Sequence, residues 1–517
     1  MQTRVVTVTA RRSSPAVAYT ARRSHSLPPS MPPSYRVALA SIAALTALVA
    51  CKDTSAPSGT TTPPTNGPKV ATLRGDIAAN RTLSADTVYT LSGFVKVRAG
   101  ATLTIPAGTR IVGDTLAAGS SLWITRGARI DARGSATNPI VFTSQRAAGS
   151  RAPGDWGGLV IVGNAPTSRN ANDALTYGRA GTPLVPESYG GGSVPNDNSG
   201  TLQYVRIEFA GASPTGGDEQ MAALTLYAVG RGTTIEYVQS LESLGSAFQW
   251  YGGTVDGRYL VSYEAGDDHF AWAEGYAGRD QFLVGYQTHQ PTARSADAGL
   301  PSTTPRGIQG YGCDISNDAR PGCTSYLAAP LSSPVLANFT LVGPGTGVYG
   351  ATVAAQANGI MLRRGTGGTL LNGVVARWPG VGLTVREAQT DTLRQRDSLT
   401  IAGVLLTDNA AGNYDAPGSI GFGQQATFPN TISATAPTAT LFTSVPSGAV
   451  PAAATLDWTP AGGSPLRANG VTSWTPRIQA RTTGFFGATM TPTSYVGAAD
   501  PNSATKWWQG WTAYARN

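Results

Sequence analysis

Six carboxylates fall within one short stretch of this chain: Glu242, Asp256, Glu264, Asp267, Asp268 and Glu274, with His269 among them. Acids at this density suit three different chemistries. Several carboxylate oxygens in one wall can hold Ca2+, with Asp267 and Asp268 as the first candidate ligands. Two neighbouring carboxyls can divide into a general acid and a general base. The third reading is a solvated acidic face whose Asp residues shape turns. Two tryptophans, Trp250 and Trp272, lie in the same stretch. Facing outward, they would form a shelf for stacking sugar rings, with Glu242, Glu264 and Glu274 as hydrogen-bonding partners. Facing inward, they are core, and each would cost about 3–5 kcal/mol on truncation to Ala.

The elements that must position these side chains are legible from a repeat. Tyr237, Glu242, Phe248 and Trp250 recur 22 positions later as Tyr259, Glu264, Phe270 and Trp272. A fixed period near 20 residues is the mark of a stacked solenoid, in which equivalent residues sit about 4.8 Å apart on neighbouring strands. Two stacked glutamates would repel by about 0.9 kcal/mol in water-like surroundings and by about 3.5 kcal/mol at an effective dielectric of about 20. A half-buried pair should therefore recruit an arginine, a cation or a proton. Phe and Trp, with one residue between them, share a strand face.

A second likeness runs from Leu103-x-Ile105-x-x-Gly108-x-x-Ile111 to Leu122-x-Ile124-x-x-Gly127-x-x-Ile130, and Val95-x-Val97-x-x-Gly100-x-x-Leu103 fits the same template. Alternating apolar residues followed by a turn glycine leave an apolar face that only stacking can bury. Charged residues make up 13% of the chain and glycines number 63. With few helical periodicities, this composition reads as all-β. The expected organisation is a leader over 1–50, a Ser/Thr/Pro-rich tether over 51–68 and a parallel β-helix over 69–430. Residues 431–517 then form an irregular linker and an aromatic-rich cap covering an open solenoid end; the cap holds Trp507, Trp508 and Trp511.

The leader carries a targeting signal. A short apolar run from Val37 to Leu48 is too short to span a bilayer, and it ends in Leu48-Val49-Ala50-Cys51. This resembles the lipobox of bacterial lipoproteins, which implies lipidation at Cys51. Met31 is a candidate true start. Six arginines and no acid lie in residues 1–50, so the net charge of +8 belongs mostly to the leader. Without it the chain is close to neutral, and its charge gives no argument for nucleic-acid binding. Cys313 and Cys323 remain, an even pair around a turn-rich loop, and in an exported chain they suggest a disulfide.

Several motifs together resemble a family of exported bacterial proteins. They are Asp155-Trp156-Gly-Gly, Leu202-Gln-Tyr-Val-Arg-Ile-Glu208, Gly266-Asp267-Asp268 with its Phe-x-Trp, and Trp508-x-Gly-Trp511. The resemblance covers roughly residues 70–517. It implies a right-handed parallel β-helix, often a lipoprotein, in a family mostly without an assigned activity. Family members often carry an acidic pair before both Phe-x-Trp elements. Here the first copy has Gly245 and Ser246 instead, so any specific chemistry belongs to the second.

The expected role is a lipid-anchored protein of the outer membrane or cell surface, serving adhesion, scaffolding or glycan binding, with glycans or other envelope proteins as partners. The enzymatic alternative is a polysaccharide lyase or glycoside hydrolase. Gly266-Asp267-Asp268 resembles the Asp-pair element of polygalacturonase-like hydrolases, although their Gly-His-Gly and Arg-x-Lys elements do not follow. A β-elimination lyase needs a base beside Ca2+, for which Arg258 or Arg279 are the candidates. Asn196–Gly200 reads as a polar corner, and Gly345-x-Gly347-x-x-Gly350 as a chance match to a dinucleotide fingerprint.

Overall fold

The structure, a computed structural model, describes residues 68–178, 184–214, 220–316, 320–415, 428, 430–446 and 456–516. The leader, Cys51 and residues 52–67 of the tether lie outside the described residues. Short strands wind into two long sheets. Among the described residues, sheet A joins seventeen strands and sheet B ten, and neighbouring strands within each run parallel. This is a parallel β-helix. Inward residues of both sheets fill one continuous core, including Leu122, Ile161, Phe248, Trp250, Phe270, Trp272 and Leu362.

The 22-residue period is a true vertical stack. Phe248 pairs with Phe270 and Trp250 with Trp272 in sheet B, and Leu241 pairs with Tyr263 in sheet A. The 19-residue likeness is not a stack. Leu103 belongs to the strand Thr102–Ile105 of sheet A, and Leu122 to Ser121–Ile124 of sheet B. The vertical partners are Val95 with Leu122 and Leu103 with Ile130, 27 positions apart. The likeness arises because every strand–turn–strand corner meets the same demand. Apolar residues alternate inward, and a glycine takes up positive φ, as at Gly100 (85°), Gly108 (78°) and Gly127 (80°).

The long strands of sheet A bend at one level. Tyr204, Tyr237, Tyr259 and Phe282 adopt left-handed backbone with φ between 50° and 63°, a conformation that disfavours side chains with a Cβ. Their rings stack in a ladder, with centroids 4.3, 4.5 and 5.1 Å apart from rung to rung. Such aromatic pairs offset part of the backbone cost.

The segment after Thr431 is more ordered than its composition suggests. Thr431–Ser433 adds a strand to sheet A. Two small hairpins follow, Phe442–Ser444 with Asp457–Pro460 and Thr483–Phe485 with Ala488–Thr489, with a helix over Pro476–Thr482 between them. The last residues do not lie over an end of the solenoid. They run along the flank of sheet A. Trp511 meets the Tyr204 and Tyr237 rings edge-on at 5.9 and 6.1 Å, and Trp507 lies 5.2 Å from Tyr259. Gln239 clasps the backbone of Ala513, donating to its carbonyl at 2.6 Å and accepting from its N–H at 2.8 Å. The aromatic ladder exposes ring faces, and the terminal tryptophans bury part of them.

Candidate functional site

The six clustered acids do not form one wall. Strand alternation and the corner between sheets send them to three places. Asp256 is buried beside Arg279, which donates to it from Nε at 2.9 Å and from Nη2 at 2.6 Å. Arg258 pairs with Glu236 at 2.6 Å. Neither arginine stands near Asp267 and Asp268 to act as a lyase base, because both belong to sheet A.

Glu242 and Glu264 end their sheet A strands at equivalent corners, with φ of 55° and 58°. Both are almost fully buried. His289 lies between them, with Nε2 at 3.3 Å from Glu242 and Nδ1 at 3.4 Å from Glu264. Arg516 closes the group at 2.8 Å from Glu264 and 3.7 Å from Glu242. The repulsion expected of stacked glutamates is thus met by two cations. Burial pushes the Glu242 carboxyl up. Burial acts the same way on Glu264, but His289, Arg516 and Thr288 outweigh it and hold that carboxyl below its ordinary range. His289 is raised to about 9, since its two carboxylate partners outweigh its own burial. This is a sealed electrostatic lock between a core corner and the C-terminal segment.

The third group opens onto a cleft. Sheet B turns Phe248, Trp250, Phe270 and Trp272 inward, and the residues between them face out. On one rung these are Gln249 and Tyr251, on the next Ala271 and Ala273, and on the third Gln309 and Tyr311. Two alanines between taller neighbours leave a trough. The resulting cavity of about 210 Å³ has Ala273 in its floor, and Tyr251, Tyr311, Gln249 and Gln309 along its sides.

At one end stand Asp267 and Asp268, in the turn that leads into Phe270–Ala273. Ser246 donates to Asp267 at 3.1 Å. Asp268 is fully buried, and neither of its carboxyl oxygens has a hydrogen-bond partner. The Arg306 guanidinium is 3.9 Å away. Burial first, and then the Asp267 charge, push the Asp268 carboxyl well above the usual range. Buried polar atoms are almost always hydrogen-bonded, and two orphaned oxygens at a cleft are what a ligand would satisfy.

At the other end Glu274 accepts from Arg169 at 2.6 Å and stands 3.5 Å from Arg320, and the Tyr189 hydroxyl also donates to it. Burial acts to raise Glu274, but Arg320 and Arg169 outweigh it and keep the carboxylate ionised. Arg320 and Asp314 come from the loop closed by the Cys313–Cys323 disulfide. Arg320 covers the Tyr251 ring at 4.0 Å, and Arg364, paired with Asp314, covers Tyr311 at 5.1 Å.

Trp250 and Trp272 are therefore no aromatic shelf. They are 2% and 1% exposed, with Trp250 stacked on Tyr276 at 5.4 Å. A Cβ at Gly310, on the next rung, would lie 2.4 Å from the Trp272 indole. The shared strand face that links Phe to Trp is the inner one. Among the described residues no group of three or more His, Cys, Asp and Glu is arranged to hold a metal ion. Glu274 and Asp314 are already engaged by arginines. His269 is buried, with Nδ1 at 2.6 Å from the Ser262 hydroxyl, and burial lowers it to about 4. Glu242 and Glu264 lie on sheet A, apart from the cleft.

Arg169, Arg320, Arg364, Tyr251 and Tyr311 are cleft residues that sequence reasoning missed. The available signal was the pair of small residues at 271 and 273, where the preceding copy has Gln and Tyr.

A family model for a pectate-lyase-like beta helix domain matches residues 75–450. The chain belongs to that family. No curated protein and no solved structure matches it. The family match spans the cleft and both faces of the double rung. It fits a surface or carbohydrate-related protein, and it leaves the chemistry to the chain's own side chains.

Proposed function

We propose that this member of the family is a lipid-anchored protein of the bacterial outer membrane or cell surface that binds a glycan in the sheet B cleft without cleaving it. The observation that carries this reading is the pair of unpartnered Asp268 oxygens in a trough that also offers guanidinium, amide and phenol groups. Sugar hydroxyls both donate and accept, and this lining provides for both. The Tyr251 and Tyr311 rings are covered by arginines, so recognition rests on hydrogen bonds more than on stacking.

Ala273→Tyr fills the floor of the trough on the face of sheet B away from the Phe248–Trp272 core. Retention of the folded chain on a panel of immobilised glycans should be lost in this variant. Equal retention by both proteins overturns the reading. The anchor rests on Leu48-Val49-Ala50-Cys51. Metabolic labelling with a fatty-acid analogue should mark the full chain and spare Cys51→Ser, and a label that persists in the variant rejects the anchor.

One observation favours hydrolysis as a second reading. Asp267 and Asp268 are adjacent carboxyls, and burial pushes the Asp268 carboxyl well above its usual range, an arrangement that suits the acid of an acid–base cleavage of a glycosidic bond. New reducing ends released from a bound glycan, and abolished by Asp268→Asn and Asp267→Asn, would select it. Binding with no released ends selects the non-cleaving reading.

A further inference from the structure

A second cavity, of about 320 Å³, lies at the starts of the sheet A strands and shares no residue with the glycan cleft. Three arginines line it: Arg231, Arg279 and Arg481. They are not equivalent. Arg279 is neutralised by Asp256, and its remaining N–H groups go to the carbonyls of Thr483 and Gly484. Arg481, on the helix Pro476–Thr482, donates only to neutral acceptors. These are the Thr369 hydroxyl at 2.7 Å, the Ser333 hydroxyl at 2.8 Å and the Pro334 carbonyl at 3.2 Å, with the Ser333 carbonyl.

Among the described residues no carboxylate lies within ion-pair distance of Arg481, Arg231 or the neighbouring Arg477. Burial lowers Arg481 to about 10, with a smaller contribution from Arg477, so the group keeps its charge at neutral pH. A largely desolvated cation without a counter-charge is costly. The cost is relieved when an anion enters. Ser333 accepts from Arg481, which leaves its own hydroxyl proton free to donate into the cavity.

We propose that this cavity binds a tetrahedral oxyanion, phosphate or sulfate, between the Arg231 and Arg481 guanidiniums, with the Ser333 hydroxyl as a third donor. Guanidinium forks match two oxygens of such an anion. The cavity accommodates a free ion or the phosphodiester of a lipid headgroup.

The test uses the folded chain with Cys51→Ser, so that no lipid anchor contributes. Calorimetric titration with inorganic phosphate and with sulfate should show one site, weakened at least tenfold in Arg231→Gln and in Arg481→Gln. Arg231 is exposed and its side chain makes no hydrogen bond among the described residues, so its variant tests the site even if Arg481→Gln fails to fold. Co-sedimentation with phosphatidylglycerol vesicles, against phosphatidylcholine controls, separates the two sources. Vesicle binding that Arg231→Gln abolishes and free phosphate competes away assigns a lipid phosphodiester. Phosphate or sulfate binding without vesicle binding assigns the free ion. Absence of binding to phosphate, sulfate and vesicles alike, or binding unchanged in Arg231→Gln, overturns the proposal.

Discussion

Glu242 and Glu264 on the sheet A side, and Asp267, Asp268 and Glu274 at the ends of the sheet B strand, belong to the same two turns of the helix, yet their surroundings differ. The sheet A pair is closed by His289 and Arg516, each reaching both carboxylates. Neither carboxyl oxygen of Asp268 has a hydrogen-bond partner, and the residue faces a cavity. The sheet A pair spends its charges on holding the C-terminal segment against the solenoid. The sheet B group keeps acceptors in reserve. Burial alone does not separate a structural acid from one available to a ligand. What separates them is the pair of cations, His289 and Arg516, that closes on the sheet A carboxylates.

That contrast can be broken at its structural elements first. Glu274 is the structural acid within the cleft, and Glu274→Ala would leave Arg169 and Arg320 buried against each other. A loss of about 3–5 kcal/mol is expected in denaturant unfolding, and a loss under 1 kcal/mol would mean that the two arginines find other partners. Replacing Cys313 and Cys323 by serine frees the loop that carries Arg320 and Asp314. The closed loop of ten positions accounts for about 2–3 kcal/mol, and glycan retention should fall with it. Retention that survives would place the cleft's affinity outside this loop.

His289 sharpens the comparison through pH. Its folded value of about 9 lies above the ordinary histidine value of 6.5. The stabilisation is therefore fully present below pH 6.5 and is lost as pH rises through 9. His289→Gln should be less stable than the parent by roughly 2 kcal/mol at pH 6, after allowance for partial exposure, and the two proteins should converge near pH 10. A gap that does not close in the alkaline range would show that the imidazole packs without carrying charge. The smallest stability effect belongs to Asp268→Asn. The amide has the size of the carboxyl and the side chain gives up no hydrogen bond, so unfolding should shift by under about 1 kcal/mol, while glycan retention drops at least tenfold. The opposite pattern, a large stability loss with retention intact, would move Asp268 into the structural group.

The fold was legible because stacking imposes a period. Phe248, Trp250, Phe270 and Trp272 recur at 22 positions since each must sit over its counterpart. The same logic misled at residues 103 and 122, where a shared corner shape imitates a vertical repeat across two different sheets. The candidate site was only half legible. Asp267 and Asp268 stood out as acids that the first copy lacks. The arginines of the cleft did not, because Arg169, Arg320 and Arg364 lie far apart in the chain and only winding brings them together.

By itself, the sequence determined the β-helix, the shared strand face of Phe and Trp, the position of the disulfide and the single rung on which an acidic pair could act. Those features follow from local alternation and from a repeat length, both written in one dimension. The tertiary structure decided which face each acid takes, which acids are neutralised and where a trough opens between two alanines. Those outcomes depend on cations arriving from Arg169 to Arg516, and no spacing along the chain encodes that convergence.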